Sequence, residues 1–258
     1  MNLAIKGKVA LITASSDGMG KNVAGALAAE GVNVVLFART AEKLQAVARE
    51  IEQTHRVKVL PVAGSMLVGT DIDRLASSIK SEFGGLDILI LNTGRPPIPL
   101  RDAIDETDEE RWHEAYRTQL WGTINVAKTI VPSMLERGWG RVIAITSASV
   151  KEPMSHHCLS TVFRAGITAY MKHLANEIGE HGITVNCVAP ALIATPHRTG
   201  TAAYTPAETE ARKKLTRLGR MGTPEEICGA VTFLASMQAG FITGSTLNVE
   251  GGMLRSLV

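Results

Sequence analysis

The stretch Val9-Ala-Leu-Ile-Thr-Ala-Ser-Ser-Asp-Gly-Met-Gly20 decides the fold. An apolar run, Val9 to Ile12, ends in a small polar turn that closes on Gly18 and Gly20, and an amphipathic segment follows at once. This pattern predicts a buried strand, a tight turn and a helix start. A helix N-terminus aims free N–H groups and a partial positive charge outward, which suits a pyrophosphate. Glycines let the backbone approach that anion with no Cβ in the way.

The chain on either side repeats the unit. Val23, Ala24, Leu27 and Ala28 recur at helical spacing and Gly31 stops that helix. Val32–Phe37 reads as a second strand, and Thr40 is positioned to cap a helix carrying Leu44, Val47, Ala48 and Ile51. Val57–Ala63 reads as strand three, a stripe from Ile72 to Phe83 as a helix, and Leu86–Leu91 as strand four. Thr107-Asp-Glu-Glu110 resembles a capping box opening a long helix to about Glu136. Arg141–Thr146, Ile183–Ala189 and Thr246–Val249 complete the strands, with helices from about Leu159 to Ile178 and from Thr223-Pro-Glu-Glu226 onward. The section at about 192–220 has weak periodicity and many charges, and is expected to form a substrate lid. Strands apolar on both faces, joined by amphipathic helices, predict an α/β, doubly wound parallel sheet of about seven strands. Ligands of such sheets bind at the carboxyl ends of the strands. No linker or composition shift divides residues 1–258, so a single domain is expected.

The bulk numbers narrow the function. With 45% hydrophobic and 20% charged residues, the 258-residue chain is an ordinary globular one. A net charge of +2, dispersed bases and only 4% aromatics give no reason to expect nucleic acid. Cys158, Cys187 and Cys228 are far apart and odd in number, so neither a disulfide framework nor a metal site is expected, and buried thiols in a reducing cytoplasm fit best. No apolar run reaches the roughly 18 residues of a membrane span, and no secretory signal is read at the start.

Several motifs together resemble the short-chain dehydrogenase/reductase family. Thr13-Ala14-Ser15-Ser16-Asp17-Gly18-Met19-Gly20 is similar to its Thr-Gly-x-x-x-Gly-x-Gly turn, with Ala14 for the first glycine. Asn92-Thr93-Gly94 is similar to its Asn-Ala-Gly, and Gly182–Pro190 to its sixth strand and the loop that packs on the nicotinamide. Arg220–Glu226 and Ile242–Gly252 resemble its C-terminal signature. The resemblance spans nearly the whole chain. It implies a single-domain Rossmann fold, a nicotinamide cofactor and a homotetramer built on the two long helices. It further implies cofactor contacts at Thr13, Ser15, Ser16, Asp17, Gly18, Met19, Gly20, Asn92, Thr93, Gly94, Arg164, Pro190, Ile193 and Thr195. Ala38-Arg39 lies about 20 residues past the glycine turn, where an acid would select NAD and a base NADP. The donor fork of Arg39 points to NADP. Asp17 pulls the other way, because NADP-using relatives often carry a base there.

The family's catalytic tetrad is Asn, Ser, Tyr and Lys. Its serine matches Ser147. The tyrosine position holds Ser160, the lysine position Arg164 and the asparagine position Gln119. A phenol beside a lysine supplies the proton that hydride transfer to a carbonyl requires. A serine hydroxyl is a far weaker acid, and arginine does not deprotonate. His156 and His157, just before Ser160, are alternative proton donors. The leading expectation is an NADP(H)-dependent oxidoreductase interconverting a small-molecule carbonyl and alcohol, with a 3-oxoacyl reductase-like role as one form. A non-redox lyase or dehalogenase-like enzyme and a catalytically degenerate cofactor-binding protein stay open. Relatives that eliminate halide keep the tyrosine and lose the glycine turn, the reverse of this chain.

Overall fold

The computed structural model describes residues 2–194 and 205–256. Seven strands form one parallel sheet in the order β3-β2-β1-β4-β5-β6-β7. They are β1 (Val9–Thr13), β2 (Asn33–Ala38), β3 (Val59–Ala63), β4 (Ile88–Leu91), β5 (Gly140–Ile145), β6 (Ile183–Pro190) and β7 (Thr246–Val249). The order reverses direction between β1 and β4, which opens a crevice at their carboxyl ends.

Alternation along each strand assigns its side chains to two cores. Val9 and Leu11, with Leu89 and Leu91, pack under α3 (Gly69–Phe83), α5 (Gly122–Leu135) and α6 (Cys158–Ile178). Ala10 and Ile12, with Ile88 and Ile90, pack under α1 (Gly18–Ala29), α2 (Ala41–His55) and α8 (Pro224–Ala235). Both faces are thus dry, and each fully buried Leu or Ile contributes about 1.5–3 kcal/mol. Cys187 and Cys228 lie in these cores, and burial pushes each thiol up to about 12. Cys158 is half-buried, and all three thiols are free.

The expected long helix after Thr107 differs. Its cap is Asp108, whose carboxylate accepts from the Glu110 N–H at 3.1 Å, and the run divides into α4 (Glu109–Ala115), a π-helical turn (Tyr116–Trp121) and α5. Arg111, Ala115 and Gln119 are buried at a spacing of four, wider than the 3.6 of an α-helix, and the π turn absorbs that drift. Strand three begins at Val59 rather than Val57, and strand four at Ile88 rather than Leu86. Thr40 stands at the N-cap of α2 but makes no side-chain cap bond. Thr223 and Glu226 do form the expected capping box on α8. Within the expected lid, Ile193 bridges to Gly222, α7 (Pro206–Lys213) follows, and the Arg217 N–H donates to the Gly251 carbonyl at 2.8 Å. Thr195 lies outside the described residues.

Candidate active site

The glycine turn sits where β1 feeds α1. The Thr13 hydroxyl donates to the Asn92 carbonyl at 2.6 Å and accepts from the Asn92 N–H at 2.8 Å, stapling β1 to the end of β4. The Ser15 hydroxyl accepts from the Phe37 N–H at 3.0 Å and ties the turn to β2, two residues before Arg39. Thr13 and Ser15, both fully buried, therefore shape the cradle through hydroxyls already bonded to backbone. Gly20 packs so closely that a Cβ on it would meet the Ala14 carbonyl oxygen at 2.4 Å and the Ser15 Cα at 2.9 Å. Gly18 has φ +55°, and half-buried Ser16 and Met19 flank the helix mouth.

Two departures in this turn have measurable consequences. Ala14, where the resemblance has glycine, is held at φ +48°. Left-handed backbone costs an L-residue about 1–2 kcal/mol, part of which glycine gives back as unfolded-state entropy. Ala14→Gly is expected to stabilise the protein by about 0.5–1 kcal/mol, read as a higher midpoint in urea at unchanged slope. Asp17 caps α1 with its own carboxylate, which accepts the Gly18 N–H at 2.7 Å. A carboxylate at this mouth opposes any phosphate that approaches. Asp17→Asn, which keeps an acceptor and removes the charge, is expected to tighten binding of a phosphate-bearing dinucleotide about two- to fivefold at low salt. Calorimetry at two ionic strengths checks this, since the gain shrinks as salt rises.

Arg39, just past β2, is exposed and makes no ion pair with another described residue. The loop after β3 has no acid of its own, yet the Asp71 carboxylate on α3 accepts the Ser65 N–H at 2.9 Å. Sequence reading missed that carboxylate, which comes from the next helix.

At the ends of β4 and β5 the expected catalytic positions converge in part. Arg164 on α6 donates through Nη1 to the Ile145 and Thr146 carbonyls, both at 3.0 Å, and through Nη2 to the Gly94 carbonyl at 3.4 Å. Its guanidinium thereby joins the residues leading into Ser147 to the Asn92-Thr93-Gly94 turn. No carboxylate pairs with it among the described residues, and burial pushes it down to about 10, so it remains a cation at neutral pH. Ser147 begins a 3-10 turn (Ala148–Val150), and its Oγ accepts both the Ser149 N–H at 3.2 Å and the Ser149 hydroxyl at 3.0 Å. Those two donors leave the Ser147 O–H proton to be given elsewhere. Ser149, fully buried, is a contributor that sequence reading did not single out.

Ser160, in the first turn of α6, is buried with no hydrogen-bond partner for its hydroxyl among the described residues. Gln119, on the π turn, is wholly buried and neither amide atom has a partner. The Thr93 hydroxyl beside Gly94 is likewise buried and unpartnered. The structure gives no direct contact that joins Ser160 or Gln119 to Ser147. Pro190 ends β6, and Ile193 lies on the bridge to Gly222. Tyr170 packs against the α3/α5/α6 core, where burial and Glu177 push its phenol up. The described residues contain no cluster able to hold a metal ion.

The residues present fit a dinucleotide. Gly20 lets α1 start hard against the Ala14–Ser15 backbone, which a Cβ would prevent, and that tight strand-to-helix turn is the geometry that presents helix N–H groups to a pyrophosphate.

Comparison with known proteins agrees. The family model for enoyl-(acyl carrier protein) reductase matches residues 13–254. A 3-oxoacyl-(acyl-carrier-protein) reductase of Aquifex aeolicus is 32% identical over 98% of this chain and 100% of its own. Dehydrogenase/reductase SDR family member 4 of Bos taurus is 35% identical over 97% of this chain and 88% of its own. Among solved structures, L-sorbose reductase of Gluconobacter frateurii, complexed with NADPH and L-sorbose, superposes with a TM-score of 0.91 at 31% identity over the whole of both chains.

Proposed function

Because the chain belongs to the short-chain dehydrogenase/reductase family, we propose that it is an NADP(H)-dependent oxidoreductase that interconverts a carbonyl and an alcohol, with 3-oxoacyl thioesters as the first substrate class to try. The single observation that carries the reading is the Ser147 hydroxyl. It is held by two donors from Ser149 and directly follows Thr146, whose carbonyl accepts from the Arg164 guanidinium at the end of β5.

When bound, the cofactor supplies or accepts hydride. The rest falls to this chain. The glycine turn, with Gly18, Met19 and Gly20 at the mouth of α1, holds the pyrophosphate, and Arg39 takes the 2′-phosphate. Asn92, Thr93, Gly94, Pro190 and Ile193 wall the nicotinamide end, and the Arg164 charge holds ribose hydroxyls there. Ser147 donates its O–H to the carbonyl oxygen as negative charge grows on it. Ser160 stands where a phenol would be, as a weak donor or relay. Gln119 anchors polar groups at the back of the site. Of the lid expected at about 192–220, the described residues 205–220, with Arg212 and Lys213 on α7, border the substrate within a single domain. The protein acts as a homotetramer in the cytoplasm, with Tyr116, Trp121 and Val162, all exposed around the π turn and α6, as the apolar face that copies cover.

The test is oxidation of NADPH, followed at 340 nm, over a panel of 3-oxoacyl thioesters and sugar ketones. No substrate-dependent signal with any carbonyl, in a protein that binds NADPH, would overturn the reading. Cofactor choice has its own check. Arg39→Asp is expected to weaken NADPH about 10–100-fold, the worth of a charge-assisted bond to phosphate, and to leave NADH binding equal or better. Equal loss for both would place Arg39 outside the phosphate site.

A further inference from the structure

Carbonyl reduction needs a proton for the oxygen that hydride arrival leaves negative. Arginine does not release one and an aliphatic hydroxyl releases it poorly. Two loops leaving the carboxyl ends of β4 and β5 meet on a pair better suited. Both carboxylate oxygens of Asp102 are engaged by His156. The His156 backbone N–H donates to Oδ1, and its ring Nδ1 lies 3.0 Å from Oδ2. His156 has φ +59°, a conformation that non-glycine residues rarely take. Strain of this kind persists where the surroundings over-determine it, and it clusters at functional sites.

The same loop reaches back to the candidate site. Its first residues place the Gly94 carbonyl on Arg164, and Arg111 donates to the Pro97 and Pro99 carbonyls at 3.4 and 2.7 Å. The Arg101 carbonyl then accepts the N–H of Cys158, the first residue of α6, two residues before Ser160. A Nδ1–H bond to carboxylate leaves Nε2 as the end of the ring that exchanges protons. His156 keeps 66% of its side chain exposed, so the ring can be reprotonated from water.

We propose that His156, oriented by Asp102, supplies the proton that the family's tyrosine would otherwise give. The step rests on the carbonyl-reduction reading above. The carbonyl carbon gains hydride, the C=O π pair moves onto oxygen, and that oxygen takes the proton from Nε2, directly or through the Ser160 hydroxyl. One N–H bond breaks and one O–H bond forms. The imidazolium becomes neutral imidazole, solvent reprotonates it, and Asp102 stays ionised. Asp102 is a positioning residue that fixes the ring tautomer. The other titratable and charged groups near this pair are His157, with Nδ1 2.7 Å from the Ser155 carbonyl, Cys158, and Arg101 with Glu106, whose ion pair spans 3.7 Å.

His156→Gln, Asp102→Asn and the control His181→Gln, an exposed histidine past the far end of α6, test this in the whole chain with NADPH and a 3-oxoacyl thioester. His156→Gln is expected to lower kcat about 100-fold with NADPH Kd unchanged, and to flatten the pH dependence of kcat that a protonated donor requires of the wild type. His181→Gln keeps the wild-type rate and profile. In the ligand-free protein, ring 15N shifts should place neutral His156 in the Nδ1–H form, and Asp102→Asn should mix the two tautomers. Wild-type rate and pH profile in His156→Gln, or an Nε2–H tautomer in the wild type, overturns the proposal. A wild type that reduces no carbonyl overturns the parent reading and this step together. Equal turnover by wild type and His156→Gln overturns this step alone.

Discussion

Ser147→Ala is expected to lower kcat for carbonyl reduction by about 10²–10³-fold, the range seen when one donor to a developing oxyanion is removed. The Ser147 Oγ accepts from the Ser149 N–H and the Ser149 hydroxyl. Its own proton is therefore aimed by exclusion, and no reorganisation is needed when charge appears on the substrate. Alanine removes that donor and leaves the buried Ser149 hydroxyl without its acceptor, at about 1–3 kcal/mol of stability. Ser149→Ala separates the two effects. It keeps the Ser147 O–H but frees its rotation, so a smaller loss in kcat is expected with the Ser147 donor still present. Steady-state rates at 340 nm, with NADPH Kd from calorimetry and a thermal melt for each variant, make the comparison. A Ser147→Ala enzyme with wild-type kcat and a lowered melting temperature would make Ser147 a structural cap of the 3-10 turn and nothing more.

What the sequence disclosed follows from the range of the interactions involved. The turn from Val9 to Gly20, the strand runs and the capping box at Thr223 are contiguous, so their residues state their own geometry. Period and turn chemistry were enough to place seven strands in a doubly wound order. The π turn was not legible, because an amphipathic stripe from Arg111 to Ile130 looks continuous until the four-residue spacing is set against a rigid helix. The clamp in which Glu106, held below the usual carboxylate range by Arg111, fixes the loop after β4 rests on a residue outside α4. The Asp102–His156 pair joins residues 54 apart, and only folding brings them together. Within the site, Arg164 reaches the Thr146 carbonyl, one residue before Ser147, at the end of β5. Ser149 was in plain view, but its role depends on a hydroxyl pair that sequence spacing does not specify.

Gly20→Ala should show the largest loss at the other end of the crevice, for a reason independent of proton chemistry. The added Cβ would meet the Ala14 carbonyl oxygen at 2.4 Å, the Ser15 Cα at 2.9 Å and the Ala14 carbonyl carbon at 3.0 Å. All three are backbone atoms, so no side chain can swing aside and the turn itself must open. Ser15 is bonded to Phe37 and Thr13 to Asn92, so opening the turn pulls on β2 and β4 together. Overpacking of this kind costs about 1–3 kcal/mol, or roughly 2–4 °C of melting temperature per kcal/mol. The phosphate cradle moves with it, and NADPH affinity should fall more than about 100-fold, since backbone N–H groups are useful only at hydrogen-bond distance. Two neighbours calibrate the effect. Gly18 has φ +55° with nothing within 4 Å of a Cβ, so Gly18→Ala should cost only the strain of left-handed backbone, about 1–2 kcal/mol. Gly25, inside α1 with equally open space, should gain about 0.5–1 kcal/mol on becoming alanine. If close approach at Gly20 is what shapes the cradle, NADPH affinity must rank Gly25→Ala near wild type, Gly18→Ala below it and Gly20→Ala last. Wild-type affinity in Gly20→Ala would mean that the dinucleotide is held without this turn, and the reading of residues 9–20 as its binding element would fail.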